Sequence, residues 1–276
     1  MSTEAFRFSG NDAANYDEYL GPLIFEPSAK ELISRILAFP ARSILEISSG
    51  TGRVTKHLRE TFPATTSLTA TDISGDMLEL AKKRLNQEAI TFQLADAQQL
   101  PFPDQSYDLV VNQYGLMFLP DKQNGFNEAR RVLKPGGHFV FMTWDNTANM
   151  AIFKLIIDDM VIPQFKGEDT SRFKTPFSLH DPALLHNYFD QAGFTDPHVN
   201  LLKFKGFTGS AKNILNALFL KHPLGRAVME KDPASYTRIA HDIEHHLIGQ
   251  YGTGSFEFEL RAWMGIGTVP AMSSPD

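Results

Sequence analysis

The 276-residue sequence has no cysteine, no surplus of positive charge and no long apolar run. Without cysteine there are no disulfide frameworks, no thiolate zinc sites and no cysteine nucleophile. A chain of this length needs none of these for stability, because it buries most of its unfolded surface. Lys and Arg number 26 against 32 Asp and Glu, a net charge of −6. That balance argues against a nucleic-acid partner, since neutralising phosphates takes clustered basic residues. No apolar run approaches the ~18 residues of a membrane span. The runs at 155–157 and 160–162, for example, are separated by Asp158 and Asp159. The opening MSTEAFRFSGNDAANYDEYL lacks a basic stretch followed by an apolar core, so it does not read as a secretion signal. The expectation is a cytoplasmic chain. Internal repeats, low-complexity tracts and linker-like stretches are also missing, which favours one domain over 1–276, with a loose tail at 273–275.

What remains is an ordinary globular composition, 42% hydrophobic and 21% charged. Its patterning alternates between helical and strand periods. Pro27 suits a first helical turn, followed by Leu32, Ile33, Ile36 and Leu37 on one face. Short apolar strands are expected at 44–47, 68–71, 90–95 and 109–111. Ser74 can cap a helix whose Met77, Leu80, Ala81 and Leu85 form a stripe. A helix at 123–133 leads into Lys134-Pro135-Gly136-Gly137, a turn signal, and then a strand at 138–144. Strand–helix alternation with uninterrupted apolar strands argues for a parallel sheet covered on both faces. Beyond it, helices are expected at 181–191, 211–221 and 233–248, and strands at 198–207 and 256–262.

The most informative stretch is Leu45-Glu46-Ile47-Ser48-Ser49-Gly50-Thr51-Gly52, running from a strand into a helix. Glycines there let the backbone approach a ligand, and the helix start offers free N–H groups. Asp72 ends the next strand 20 residues after Gly52, where a carboxylate can accept both hydroxyls of a ribose. Asp96, with Ala97 after it, ends the third strand within reach of an adenine edge. A glycine turn of this kind is by itself a common structural turn. Two carboxylates at neighbouring strand ends make it a ligand site.

Four stretches, LEISSGTGRVT, TDISGDMLELA, ADAQQLPFPDQSYDLVV and LKPGGHFVF, resemble the class I S-adenosylmethionine-dependent methyltransferases. Within that family the chain looks similar to the branch of ubiquinone- and menaquinone-biosynthesis enzymes (methyltransferase type 11). The resemblance covers about residues 16–144. It implies an α/β fold: a Rossmann-like, mostly parallel seven-stranded sheet with helices on both faces and helical additions at either end. Residues 1–40 would form lid helices, 41–145 the cofactor core, and 146–276 the substrate side. The resemblance further implies that Glu46, Ser48, Gly50 and Gly52 surround the methionine part of S-adenosylmethionine. Asp72 would hold the ribose, Ile73 and Met77 the adenine face, Asp96 and Ala97 its edge, and Gln113 the methionyl end. Core packing accounts equally well for Met77, and a loop hydrogen bond for Gln113. Tyr16, Tyr19 and Tyr114 are candidate lid or substrate contacts, with core packing as the competing reading for Tyr16 and Tyr19. Ser48 departs from the family pattern, which commonly has glycine there.

The expected reaction is methyl transfer to a small organic acceptor, with S-adenosylhomocysteine as product. Cytosine-C5 methylation by the usual route is excluded with the missing cysteine. The Asn/Asp-Pro-Pro-aromatic motif of nucleobase amino methylation is replaced by Asn112-Gln113-Tyr114-Gly115. His180, His186, His222, His241, His245 and His246 lie beyond the core, and none is singled out as a base. Two rivals stand beside this reading: a protein that binds S-adenosylmethionine without transferring its methyl, and a nicotinamide-dependent oxidoreductase. Against the second, Thr55 replaces the third glycine of the dinucleotide pattern. His241-Asp242-Ile243-Glu244-His245 matches an inverted zinc motif, but its histidines fall off the Ile239–Ile243–Leu247 stripe, so no metal is expected.

Overall fold

The computed structural model describes residues 11–86 and 89–271. The first ten residues of the 1–40 segment and the 273–275 tail lie outside the described residues. The backbone gathers into two compact units. One, the sheet unit, comprises Ala29–Trp144, Leu179–Leu202 and Ala262–Asp276; the other, the helical unit, comprises Met1–Ser28, Asp145–Ser178 and Lys203–Arg261.

Seven strands form one sheet: β1 Ser43–Ile47, β2 Ser67–Asp72, β3 Ile90–Leu94, β4 Tyr107–Gln113, β5 Leu133–Trp144, β6 Thr195–Thr208 and β7 Phe256–Thr268. Their spatial order is β3-β2-β1-β4-β5-β7-β6. Neighbours among β1 to β5 pair in parallel, and β7 pairs antiparallel to β5. Leu45, Ile47, Leu109, Val110 and Val111 are fully buried, as apolar runs in a parallel sheet should be. From β1 the chain builds outward to β2 and β3, and from β4 it builds the other way. The ends of β1 and β4 thus diverge at a switch point, where open α/β sheets leave a crevice.

Several boundaries differ from the sequence expectation, and three of them have a structural cause in the sheet. The turn at 134–137 is a bulge inside a longer β5, because Leu133 already pairs with Tyr107 before His138 pairs with Leu109. Gly136 takes φ +78°. Its N–H donates to the Val269 carbonyl at 2.9 Å, and the Val269 N–H donates to that of Gly137 at 2.9 Å, so the excursion stays hydrogen-bonded. β3 stops at Leu94, two residues before Asp96, which instead forms a short bridge with Gln99. β7 runs on to Thr268 through Gly265 and Gly267, residues that normally weaken a strand. A Cβ on Gly265 would sit 2.3 Å from the Phe141 ring, and one on Gly267 would sit 2.5 Å from Phe189. Both glycines admit a buried cluster in which Phe126 packs edge-on to Phe139, Phe141 and Phe189.

In the helical unit, Tyr16–Phe25 is wound with wide π turns around Pro22. Proline lacks an N–H and crowds the preceding turn, and widening the helix relieves both. The segment expected as one helix at 211–221 is α-helical over Ala211–Leu215 and wide-turned over Asn216–Leu220. Ile239, Ile243 and Leu247 of the Pro233–Tyr251 helix are buried as the stripe implied. His241 is 78% exposed, and its ring stacks 6.1 Å from that of His245. Among the described residues no group of His, Asp or Glu is gathered to hold a metal, and no helix is long and apolar enough to cross a membrane.

Candidate functional site

The turn after β1 holds three left-handed residues within five: Ser48 at φ +56°, Gly50 at +56° and Gly52 at +78°. Gly52 is also sterically required. A Cβ there would lie 3.0 Å from Ala81 Cβ and 3.1 Å from Leu85 Cδ1, so its absence lets the Arg53–Thr61 helix start against the Gly75–Leu85 helix. In front of Gly50 there is open space, with nothing within 4 Å of an added Cβ. Ser48 has no such freedom: an L-residue in the left-handed region costs about 1–2 kcal/mol. On the β2 side the turn is tied down by Ser49 N–H to the Thr71 carbonyl at 2.8 Å and by Gly50 N–H to Asp72 Oδ2 at 2.8 Å.

Two acidic residues lie beneath this turn. Glu46 is 2% exposed and accepts from Thr55 Oγ1 at 2.5 Å. Burial pushes its carboxyl up to about 8; the Thr55 hydroxyl opposes that rise, and the charge on Asp72 adds to it. Near neutrality Glu46 is therefore largely protonated. Asp72, also buried, holds the Ser74 N–H on Oδ1 at 2.8 Å as well as Gly50 on Oδ2. Burial raises its carboxyl above the usual range, against those backbone donors. Asp96 is less enclosed. Its Oδ1 accepts the Gln98 N–H at 2.8 Å and turns the chain after β3.

The end of β4 faces the same turn. Asn112 is fully buried; its Nδ2 donates to the Ile47 carbonyl at 2.9 Å, and its Oδ1 accepts from Gly115 N–H at 3.1 Å and Leu116 N–H at 3.2 Å. Tyr114 takes φ +57° and stacks on Trp144, with ring centres 3.8 Å apart and planes 7° from parallel. Two polar atoms on this rim, Ser49 Oγ and Gln113 Nε2, are buried without a hydrogen-bond partner among the described residues.

Of the remaining expected residues, Ile73 is 70% exposed at the end of β2, whereas Met77 and Ala97 are buried. Ser74 caps the Gly75–Leu85 helix through Met77 N–H, as its position suggested. Glu46, Ser48, Gly50, Gly52, Asp72, Ile73, Met77, Asp96, Ala97, Gln113 and Tyr114 all belong to the sheet unit. Tyr16 and Tyr19 belong to the helical unit, where Tyr16 stacks on Phe25 at 4.5 Å. His222 is engaged as a helix cap, its Nδ1 accepting the Leu224 N–H at 3.2 Å. The sequence reading missed Thr55, Asn112 and Gly115. Asn112 had left a signal, an amide ending the apolar run Leu109-Val110-Val111 directly before Gln113.

The chain matches the family described as "Methyltransferase domain" over residues 45–141. It is 32% identical over 126 residues to a ubiquinone/menaquinone biosynthesis C-methyltransferase of Geotalea daltonii, a match covering 44% of this chain and 53% of that protein. The chain thus spans about half the length of that relative. It is 30% identical over 213 residues to a demethylmenaquinone methyltransferase of Staphylococcus haemolyticus, covering 72% of this chain and 87% of the relative. The chain belongs to the S-adenosylmethionine-dependent methyltransferases, in the ubiquinone/menaquinone-biosynthesis branch. Among solved structures, it resembles the phosphoethanolamine N-methyltransferase 2 of Haemonchus contortus, in complex with phosphomonomethylethanolamine and S-adenosylhomocysteine. The TM-score is 0.57 at 17% identity, over 94% of this chain and 57% of that one. At that identity the likeness speaks to the fold. The groups on this rim suit S-adenosylmethionine by their own chemistry: open space before Gly50, acceptors on Asp72, and, among the described residues, the unsatisfied Ser49 Oγ and Gln113 Nε2.

Proposed function

We propose that the chain transfers a methyl group from S-adenosylmethionine to a small organic acceptor, and that the ends of β1, β2 and β4 hold the cofactor. The observation that carries this reading is the pair of buried, unpartnered atoms Ser49 Oγ and Gln113 Nε2 on the rim that also carries Asp72. A buried polar group without a partner costs about 1–3 kcal/mol, so a bound polar ligand is the natural way to satisfy it. Asp72, with both oxygens already oriented by backbone donors, takes the ribose hydroxyls. Exposed Ile73 and the Met77 side chain cover the adenine, and Asp96 with the Ala97 N–H reads its edge. Gln113 and the 48–52 backbone take the methionine end, with Glu46 fixing the base of the turn through Thr55.

Bound S-adenosylmethionine supplies a methyl group already activated on a sulfonium. The chain has only to bind, align the acceptor and keep water away. In this reading 1–276 works as one domain in which 41–145 binds the cofactor and 146–276 chooses the acceptor. The −6 net charge supports an acceptor other than nucleic acid, and a cytoplasmic location belongs to the same proposal.

Calorimetric titration with S-adenosylhomocysteine and with NADH tests the site, with binding of the first alone expected. Labelled cofactor is then offered with quinols, phenols and amines, quinols first because of the relatives' names. Binding of NADH alone overturns the whole reading. Tight S-adenosylhomocysteine binding with no label passed to any acceptor class overturns the transferase half.

A further inference from the structure

Ser48 stands at a left-handed position where glycine would be unstrained, and Gly115 stands opposite it. A Cβ added to Gly115 would lie 2.4 Å from Ser48 Cβ, 2.6 Å from Ser48 Oγ and 2.6 Å from Asn112 Nδ2. Those separations are far inside van der Waals contact. The serine side chain and the Asn112 amide therefore together occupy the volume that any larger residue at 115 would need, the serine making the closest approach. The neighbour of Gly115 is Tyr114, itself left-handed at φ +57°, so each of the two facing loops holds a non-glycine residue in a costly conformation. Such strain persists where the surroundings over-determine it, and it concentrates at functional sites. A second tie crosses the same gap: the Asn112 amide donates to the Ile47 carbonyl, just before Ser48, while accepting from Gly115 and Leu116.

We propose that Ser48 is a positioning residue whose side chain, seated in the space left by Gly115, interlocks the glycine turn with the loop after β4. Cofactor binding and the placement of Gln113 and Tyr114 are thereby coupled. The inference rests on the cofactor site proposed above. Residue 48 fills space beside residue 115, and the strain at 48 is held by contact across the gap. A glycine at 48 would free the turn from that loop without breaking the Asn112 tie.

The test is a double-variant cycle with Ser48→Gly, Gly115→Ala and their combination. Each protein is checked for folding by circular dichroism, titrated with S-adenosylhomocysteine, and heated without ligand. Gly115→Ala is expected to weaken binding by about tenfold or more, and the combined variant to recover at least about threefold of that loss, the remainder being the contact with the Asn112 amide. Ser48→Gly alone is expected to weaken binding by about two- to fivefold with little change in melting temperature. Ser48→Ala, which keeps the Cβ, should restore affinity to within about twofold. A Gly115→Ala chain that fails to fold supports the interlock when the combined variant folds and binds. Independent, additive effects overturn it. So does rescue of melting temperature alone, with affinity unmoved throughout, or a combined variant that neither folds nor binds. Failure of the unaltered chain to bind S-adenosylhomocysteine sinks the site itself; normal binding with additive variants sinks only the interlock.

Discussion

The two ends of the sheet treat the same kinds of side chain in opposite ways. At the starting ends of β1, β4 and β5, Asp108 accepts from Arg42 N–H, Ser43 N–H, Ser43 Oγ and Lys134 Nζ, all within 2.9 Å. Burial alone would raise its carboxyl, but Lys134 and the surrounding donors outweigh that and hold it below the usual range. Nearby, Arg131 is bidentate to Glu128 and also reaches Asp104 and the carbonyls of Phe102 and Leu100. At the finishing ends, Glu46 and Asp72 are buried together with no basic partner among the described residues, and both carboxyls are raised. Ser49 Oγ and Gln113 Nε2 are left without partners there. One end is complete as it stands. The other is arranged at a cost that a ligand would offset.

The contrast can be tested from both sides. Asp108→Ala should destabilise the fold most, by about 2–4 kcal/mol, because it strands several donors at once. Denaturant unfolding measures that loss, and S-adenosylhomocysteine affinity should not move. Asp72→Asn should do the reverse, weakening that ligand by about 1–3 kcal/mol through loss of a charge-assisted acceptor, with a smaller change in stability. If Asp72→Asn costs stability without affinity, the finishing ends are structural like the starting ones.

Glu46→Gln addresses the raised carboxyl directly. The folded chain keeps a proton on Glu46 that the unfolded chain has released, so stability falls as pH rises from the ordinary carboxyl range to about 8 and levels off above it. The glutamine variant retains a partner for Thr55 and should remove most of that fall in stability, on the order of 5 kcal/mol for a carboxyl raised to about 8, as read from thermal unfolding across the range. Asp72, raised in the same direction, accounts for slope that remains. A slope unchanged by the substitution would show that Glu46 is charged in the folded chain. Smallest of all, Asp104→Ala should alter stability by less than ~0.5 kcal/mol, since its side chain is 71% exposed and the pair is screened by water.

Much of the core was legible in the amino-acid order. The five parallel strands, the Ser74 cap, the buried stripe of the Pro233–Tyr251 helix and the positions of Asp72 and Gly50 follow from local rules of periodicity, capping and turn chemistry. Where reading failed, distant residues were responsible. The last strand was expected only at 256–262, yet β7 continues through Gly265 and Gly267 because Phe141 and Phe189 fill the room those glycines leave. The turn at 134–137 stayed within β5 because Val269 satisfies its backbone.

By itself, then, the sequence determined that a glycine turn leaves a parallel strand with the Asp72 carboxylate closing the strand beside it, since those features depend on residues a few positions apart. Only the tertiary structure decided that Glu46 sits nearly neutral against Thr55 and that Ser48 is held left-handed against Gly115. It also decided that one end of the sheet is satisfied while the other is not. Charge state and tolerated strain depend on water excluded and atoms brought close by segments far apart in the chain, and the linear order does not state those distances.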